Sequence, residues 1–109
     1  MTTVNLLPLR IALNPKFSHP ILGATDTVRT KCGHVVLAVG ESMGRHTTGE
    51  REEIIIVLEG VGRFNIDGHC GLWMGPDSVL YCPPDMFHSV ENAGDSVLRY
   101  VYIVTGERP

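Results

Sequence analysis

The hydrophobic residues of this chain fall into short runs that are separated by glycine, proline and charged residues. Helical periodicity never extends beyond about two turns, and β-branched residues are concentrated in the apolar runs. Many short strands with turn residues at regular spacing predict an all-β sandwich or barrel. The predicted strands comprise residues 34–39, 45–48, 53–59, 63–66, 69–74, 78–82, 86–91 and 97–104.

The N-terminal third is less regular. Residues 4–13 are apolar and predict a further strand, which Pro8 confines to an edge or a bulge. Residues 14–30 are polar, with several prolines and glycines, and we expect a loop there that carries His19 in solvent. We therefore divide the chain into an N-terminal strand and loop, residues 1–33, and a barrel, residues 34–105. The loop is a candidate lid over the barrel mouth.

The last predicted strand is apolar on both faces apart from Arg99. Leu98, Tyr100 and Tyr102 share one face, and three aliphatic residues share the other. One face of such a strand packs in the core of a small barrel. The other face predicts contact with a second subunit, and hence a homodimer.

Length and composition limit the function. A chain of 109 residues is one domain, and a net charge of −3 without a basic patch does not predict a nucleic-acid partner. Apolar runs stay well below the roughly 20 residues that a membrane span needs. Three widely spaced cysteines, Cys32, Cys70 and Cys82, argue against a disulfide framework. They predict a reducing, cytoplasmic setting.

Candidate chemistry lies in two stretches, residues 40–60 and 83–92. Glu53 begins an apolar run, where a buried carboxylate needs a partner. His46 precedes it, and His88 follows a double-proline turn. Two histidines and one carboxylate suit divalent iron and leave coordination positions open for a substrate. The alternatives are structural histidines and a solvated turn carboxylate, and Glu50 and Glu52 lie next to Glu53.

These stretches resemble the two motifs of the cupins. The first cupin motif is Gly, five residues, His, one residue, His, three or four residues, Glu, six residues, Gly. Gly40, His46, Glu53 and Gly60 fall at these spacings, whereas Thr48 stands where the second His belongs. The match is to a small single-domain cupin.

The second cupin motif is Gly, five residues, Pro, one residue, Gly, two residues, His, three residues, Asn. Pro83, His88 and Asn92 match it, whereas Asp77 and Asp85 replace its two glycines. The resemblance implies an antiparallel jelly-roll β-barrel. It also implies that an N-terminal strand such as that in residues 1–33 can serve as a dimer arm.

The resemblance further implies a divalent metal, which is iron, manganese, nickel or zinc, on His46, Glu53 and His88. Thr48 removes one of the four usual ligands, and its hydroxyl is suited to hold a water or a substrate oxygen. Cupins include dioxygenases, isomerases, lyases, sugar binders and storage proteins, so the reaction class stays open.

Three further residues are candidates for the cavity or its surroundings. Cys82 precedes the double-proline turn, and Arg63 and Arg99 carry guanidinium groups that pair with an anionic substrate group. Three functions are compatible with the sequence. They are a metal-dependent enzyme acting on a small polar molecule, a non-catalytic binder of a sugar or organic acid, and a metal-free barrel.

Overall fold

The computed structural model describes residues 8–106 of the chain, and these residues form strands and turns without a helix. Among them, no helix therefore has the length and hydropathy that a membrane crossing needs. The strands are β1 (His19–Leu22), β2 (Thr30–Leu37), β3 (Ser42–His46), β4 (Glu52–Glu59), β5 (Gly62–Ile66), β6 (Leu72–Met74), β7 (Val79–Cys82), β8 (His88–Asn92) and β9 (Leu98–Thr105).

Two antiparallel sheets enclose the interior. The five-stranded sheet has the order β1-β2-β9-β4-β7, and the four-stranded sheet has the order β3-β8-β5-β6. Strands that are distant in sequence are neighbours in both sheets, as the long crossovers of a jelly roll require. The predicted all-β, single-domain antiparallel barrel is confirmed.

Strand β4 shows how the sequence builds the barrel. Glu53, Ile55 and Val57 are buried and face the interior, while Ile54 and Ile56 point outward and are less buried. The apolar run is continuous because both faces of the strand carry aliphatic side chains. The buried residues between the sheets are Val35, Leu37, Ile55, Val57, Phe64, Ile66, Met74, Leu80, Cys82, Val90, Leu98 and Tyr100.

The motif glycines and their replacements occupy left-handed backbone positions. Gly60 has φ +86°, and a Cβ there would clash with the carbonyl oxygen of Val97. Gly40 has φ +84°. Asp77 and Asp85, which replace the glycines of the second motif, have φ of 66° and 62°. Aspartate tolerates this region better than most residues, so the two turns keep the backbone that glycine would give.

Several predicted strands differ from the structure, and the one predicted over residues 69–74 begins only at Leu72. Of residues 4–13, residues 4–7 lie outside the described part of the chain, and residues 8–13 form no strand. Strand β3 covers Ser42–His46 rather than residues 45–48, because its pairing with β8 has a bulge before His46.

Strand β1 lies inside residues 14–30, where we expected a loop. His19 begins this strand instead of lying in solvent, and it pairs with His34 of β2. Pro20 is tolerated because β1 is at the edge of its sheet. Strand β2 crosses the predicted boundary after residue 33, and the role of residues 1–33 as an arm or lid stays a prediction.

Candidate metal centre

Three strands from both sheets bring the predicted ligands together. His46 ends β3 and pairs directly with His88 at the start of β8, while Glu53 faces them from β4 in the opposite sheet. The candidate ligand atoms of these side chains lie within 4.8 Å of one another. Atoms bound to one ion at about 2.1 Å lie at most about 4.2 Å apart, so small side-chain adjustments complete the set.

Backbone carbonyls fix the tautomer of both histidines. Nδ1 of His46 is 2.7 Å from the oxygen of Gly44, and Nδ1 of His88 is 3.2 Å from the oxygen of Met86. A carbonyl oxygen only accepts, so each Nδ1 carries the hydrogen and donates it. Each neutral ring therefore presents the lone pair of Nε2, which is the atom a metal binds.

Glu53 and His88 are buried without suitable partners. Nε2 of His88 lies 2.7 Å from Oε1 of Glu53, with 1% and 7% of the two side chains exposed. Despite this short distance, neither atom has a hydrogen bond of acceptable geometry among the described residues. The carboxylate raises the pKa of His88, and burial opposes this effect. Nε2 and a carboxylate oxygen this close need a proton or a metal cation between them. Because the ligand atom of His46 also lies within 4.8 Å, the three residues together fit a divalent metal ion.

The candidate ligands open into a cavity of about 370 Å³, which is in the size range of small-molecule sites. It lies between the two sheets, and its lining is more apolar than polar. The lining residues are Lys31, Val35, Met43, His46, Thr47, Thr48, Arg51, Glu53, Ile55, His88, Val90, Tyr100, Tyr102 and Val104.

Thr48 lines this cavity beside the ligands. It follows the end of β3, and its hydroxyl donates a hydrogen bond to the oxygen of Arg51 at 2.9 Å. The hydroxyl therefore closes the turn between β3 and β4. Its lone pairs still accept hydrogen bonds from a ligand.

The other three predicted residues lie outside the cavity lining. Arg63 points outward from β5, with Nε 3.9 Å from Oε1 of Glu91. Arg99 lies on the outer face of the five-stranded sheet, where Nη1 donates to Oε1 of Glu59 at 3.1 Å. Strand alternation explains both positions, because the buried neighbours of each arginine face the interior. Cys82 is buried behind the ligands, and its Sγ is 3.3 Å from Nδ1 of His88.

Four charged or aromatic residues of the cavity were not named as site residues from the sequence: Lys31, Arg51, Tyr100 and Tyr102. Lys31 lies at the start of β2, which begins at Thr30, four residues before the predicted strand. The available signal was its spacing of two residues from Gly33 and Val35, which puts all three on the same face of β2. The two tyrosines were assigned to one face of the last strand and interpreted first as core or interface, with a place in the cavity lining as the alternative.

Two antiparallel sheets around a cavity with a His–Glu–His set define a small β-barrel with a candidate metal centre. The chain belongs to the cupin-domain family, whose family model matches residues 33–104. This match confirms the resemblance seen in the two sequence motifs. Comparison of the chain with curated protein sequences found no match.

Solved structures with the same fold come from diverse proteins. The cupin domain of Schizosaccharomyces pombe Cnp3 is 16% identical, with TM-score 0.74 over 83% of this chain and 64% of that one. A predicted oxalate decarboxylase from Thermotoga maritima is 25% identical, with TM-score 0.65 over 69% and 64%. The DMSP lyase DddQ from Ruegeria pomeroyi is 19% identical, with TM-score 0.73 over 83% and 46%. The chain thus spans less than two thirds of the length of each of these proteins.

Proposed function

We propose that this protein is a metal-dependent enzyme that acts on a small polar molecule inside the barrel. His46, Glu53 and His88 hold one divalent ion, which is iron, manganese, nickel or zinc. The observation that carries the proposal is the pair of buried, unpartnered atoms, Oε1 of Glu53 and Nε2 of His88. Burying such atoms is costly without a partner, and one cation satisfies both.

Three protein ligands leave coordination positions open toward the cavity. A bound ion there supplies a Lewis acid or a redox centre. The hydroxyls of Thr48 and Tyr100 are placed to orient a substrate. Oxygenation, isomerisation and lyase chemistry all suit this arrangement. A predicted decarboxylase and a lyase among the similar structures support an enzyme.

Non-catalytic binding of a sugar or organic acid is the second candidate function. The observation that favours it is the Thr48 hydroxyl, which closes a local turn and does not replace the missing fourth ligand. Among the lining residues, no further histidine or carboxylate stands beside the ligand set to act as a general acid or base. Turnover of any small molecule by the metal-loaded protein would decide for the enzyme.

The first test is elemental analysis of protein purified without chelator or added metal. We expect close to one divalent ion per chain in the wild type and sharply less in His88→Ala with the fold retained. The control is His69→Ala, since His69 is exposed. Equal metal content in wild type and His88→Ala would overturn the metal site, as would an absence of metal after reconstitution and dialysis.

We also propose a homodimer through the outer face of the five-stranded sheet. Ile54 and Ile56 of β4 lie there in register with apolar residues of β7 and β9. Exposed fractions of 36% for Ile56, 66% for Val79 and 50% for Tyr81 support an apolar patch that a second copy would cover.

The test of the dimer is light scattering at micromolar concentration. Ile56→Glu should give a monomer. Leu72→Glu, on an exposed position of the other sheet, should not. A monomeric wild type would refute the interface. A cytoplasmic location is also part of the proposal, supported by three cysteines that are all free.

A further inference from the structure

The cavity carries more positive than negative side chains. Lys31 and Arg51 line it, and Glu53 is the only acidic residue in the lining. Neither cation forms an ion pair among residues 8–106. This excess of positive charge is confined to the cavity, whereas the whole chain has a net charge of −3. A divalent ion on the candidate ligands would increase the excess further.

The two cations flank the candidate metal centre. Val104 of β9 pairs with Lys31 on one side and with Glu53 on the other, so Lys31 lies two strands from Glu53. At the usual strand spacing this separation is about 10 Å. Arg51 precedes Glu53 by two residues and lines the same cavity. Lys31 is exposed and Arg51 is half-buried, so the charges stand at the rim of the cavity above a buried carboxylate.

Two tyrosine hydroxyls add neutral donors. Tyr100 is only 2% exposed, and its hydroxyl has no hydrogen-bond partner in the described part of the chain although it lines the cavity. Burial and the charge of Glu53 raise the pKa of Tyr100, so its hydroxyl keeps its proton. The ring of Tyr102 crosses Gly33, where a Cβ would lie 2.5 Å from the tyrosine oxygen. Gly33 thus makes room for this ring beside the cavity.

Apart from the candidate ligands and the two threonines, Thr47 and Thr48, the rest of the wall is apolar. Val35, Ile55 and Val90 line the cavity, together with Met43 and Val104. A sugar with a hydroxyl on nearly every carbon would place several of these groups against hydrocarbon, where unpaired polar groups are costly. A ligand with one charged end and an apolar body meets no such penalty.

The geometry points to a small organic acid as the ligand of this cavity. Its carboxylate pairs with the guanidinium of Arg51 and the ammonium of Lys31, the Tyr100 hydroxyl donates a further hydrogen bond, and its hydrocarbon body packs on the aliphatic wall. The inference rests on the proposed function, because it names the ligand class of that same cavity. A planar guanidinium suits a carboxylate in particular, since two parallel hydrogen bonds form.

The test is isothermal titration calorimetry of zinc-loaded protein with butanoate and with butanamide, which have the same shape and differ in charge. We expect butanoate to bind at least about tenfold more tightly, and Arg51→Gln to remove most of this difference. Lys31→Met should weaken butanoate binding by about threefold, with a smaller effect at high salt. The matched control is Arg63→Gln, an exposed arginine outside the cavity, which should bind as the wild type does.

Repeating the titration on zinc-free protein separates this inference from the proposed metal site. Binding that needs zinc but does not change in Arg51→Gln would leave the metal site intact and overturn the role of the cations. Arg51-dependent binding in the zinc-free protein would support the ligand class, and only a failure of that protein to take up zinc on reconstitution would refute the metal centre. Equal affinity for acid and amide, or no binding of butanoate, would overturn the inference.

Discussion

Glu53 and His88 make a buried contact between the two sheets, with Oε1 and Nε2 2.7 Å apart. Glu53 comes from the five-stranded sheet and His88 from the four-stranded sheet, so the contact crosses the interior of the barrel. Because Nδ1 of His88 lies 3.2 Å from the carbonyl oxygen of Met86, Nε2 is the ring atom that faces the carboxylate. With His46 beside them, these two side chains offer three ligand atoms to one cation.

Glu53→Gln should therefore separate metal binding from folding. The amide is a much weaker ligand, and we expect metal affinity to fall by at least about 100-fold, beyond the usual effect of residues around a site. The metal-free protein should keep its melting temperature, because the amide can donate to Nε2 of His88. Metal content by elemental analysis and thermal melting in chelator measure the two effects.

The matched control for this substitution is Glu52→Gln. Glu52 is the preceding residue, but its Oε1 accepts a hydrogen bond from Tyr81 at 2.7 Å outside the barrel. Metal affinity should be unchanged in this variant. Loss of metal in both variants would show that overall charge, and not the Glu53 carboxylate, governs binding.

Thr48→His restores the family's second histidine. Thr48 lines the cavity with His46 and Glu53, so a histidine there should add a fourth ligand and raise zinc affinity by about tenfold or more. Competition with a chromogenic chelator measures the change, and Ser42→His, at an exposed position of β3 outside the cavity lining, serves as the control. Unchanged affinity in Thr48→His would mean that the turn after β3 directs this side chain away from the ion.

The fold and the three candidate ligands could be predicted because motif spacing and strand alternation depend only on residues that are close together in the sequence. Glu53 was preferred over Glu50 and Glu52 on its distance to Gly60. The structure agrees with this preference in burial, since Glu53 is 5% exposed. Pleating alone puts adjacent Glu52 on the opposite face.

The cations of the cavity could not be found in the same way. Arg63 and Arg99 were chosen for their chemistry, yet both point outward, and Arg51 and Lys31 line the cavity instead. Whether a side chain faces the cavity or the solvent depends on where its strand begins and on the register of that strand with its neighbours. The start of β2 was placed too late, so Lys31 was left in the loop.

His34 should make the stability sensitive to acid. It is buried on the outer side of β2, where Nδ1 donates to the oxygen of Phe17 at 3.0 Å and Nε2 accepts from Nε of Arg99 at 3.2 Å. Burial, followed by the charges of Arg99 and His19, lowers the pKa of His34 from 6.5. Glu59 is bonded to Arg99 and only partly offsets its charge.

The folded protein therefore takes up a proton at His34 less readily than the unfolded chain. Between the two pKa values the unfolded chain binds more protons, so this contribution is fully present above about pH 6.5 and is lost as the pH falls toward the folded value. Replacing His34 with Gln, which donates and accepts at similar positions, should make the urea midpoint depend less on pH between pH 7 and pH 5. His69→Gln is the exposed control, and equal slopes in all three proteins would contradict the prediction.

Asp85 occupies a position that glycine holds in the family motif, and its φ is 62°. Its amide donates to the oxygen of Gly49 at 2.7 Å, so the turn is held in this conformation. Asp85→Gly should raise the free energy of unfolding by about 0.5 kcal/mol, because relief of left-handed strain exceeds the added freedom of the unfolded chain. Asp85→Val should lower it by about 2 kcal/mol, since a β-branched residue is disfavoured there. The control is Asp95→Gly, because the φ of Asp95 is not positive. Glycine there only adds freedom to the unfolded chain, so the free energy of unfolding should fall slightly. Urea titration measures both variants, and a lower free energy of unfolding for Asp85→Gly than for Asp95→Gly would contradict the prediction.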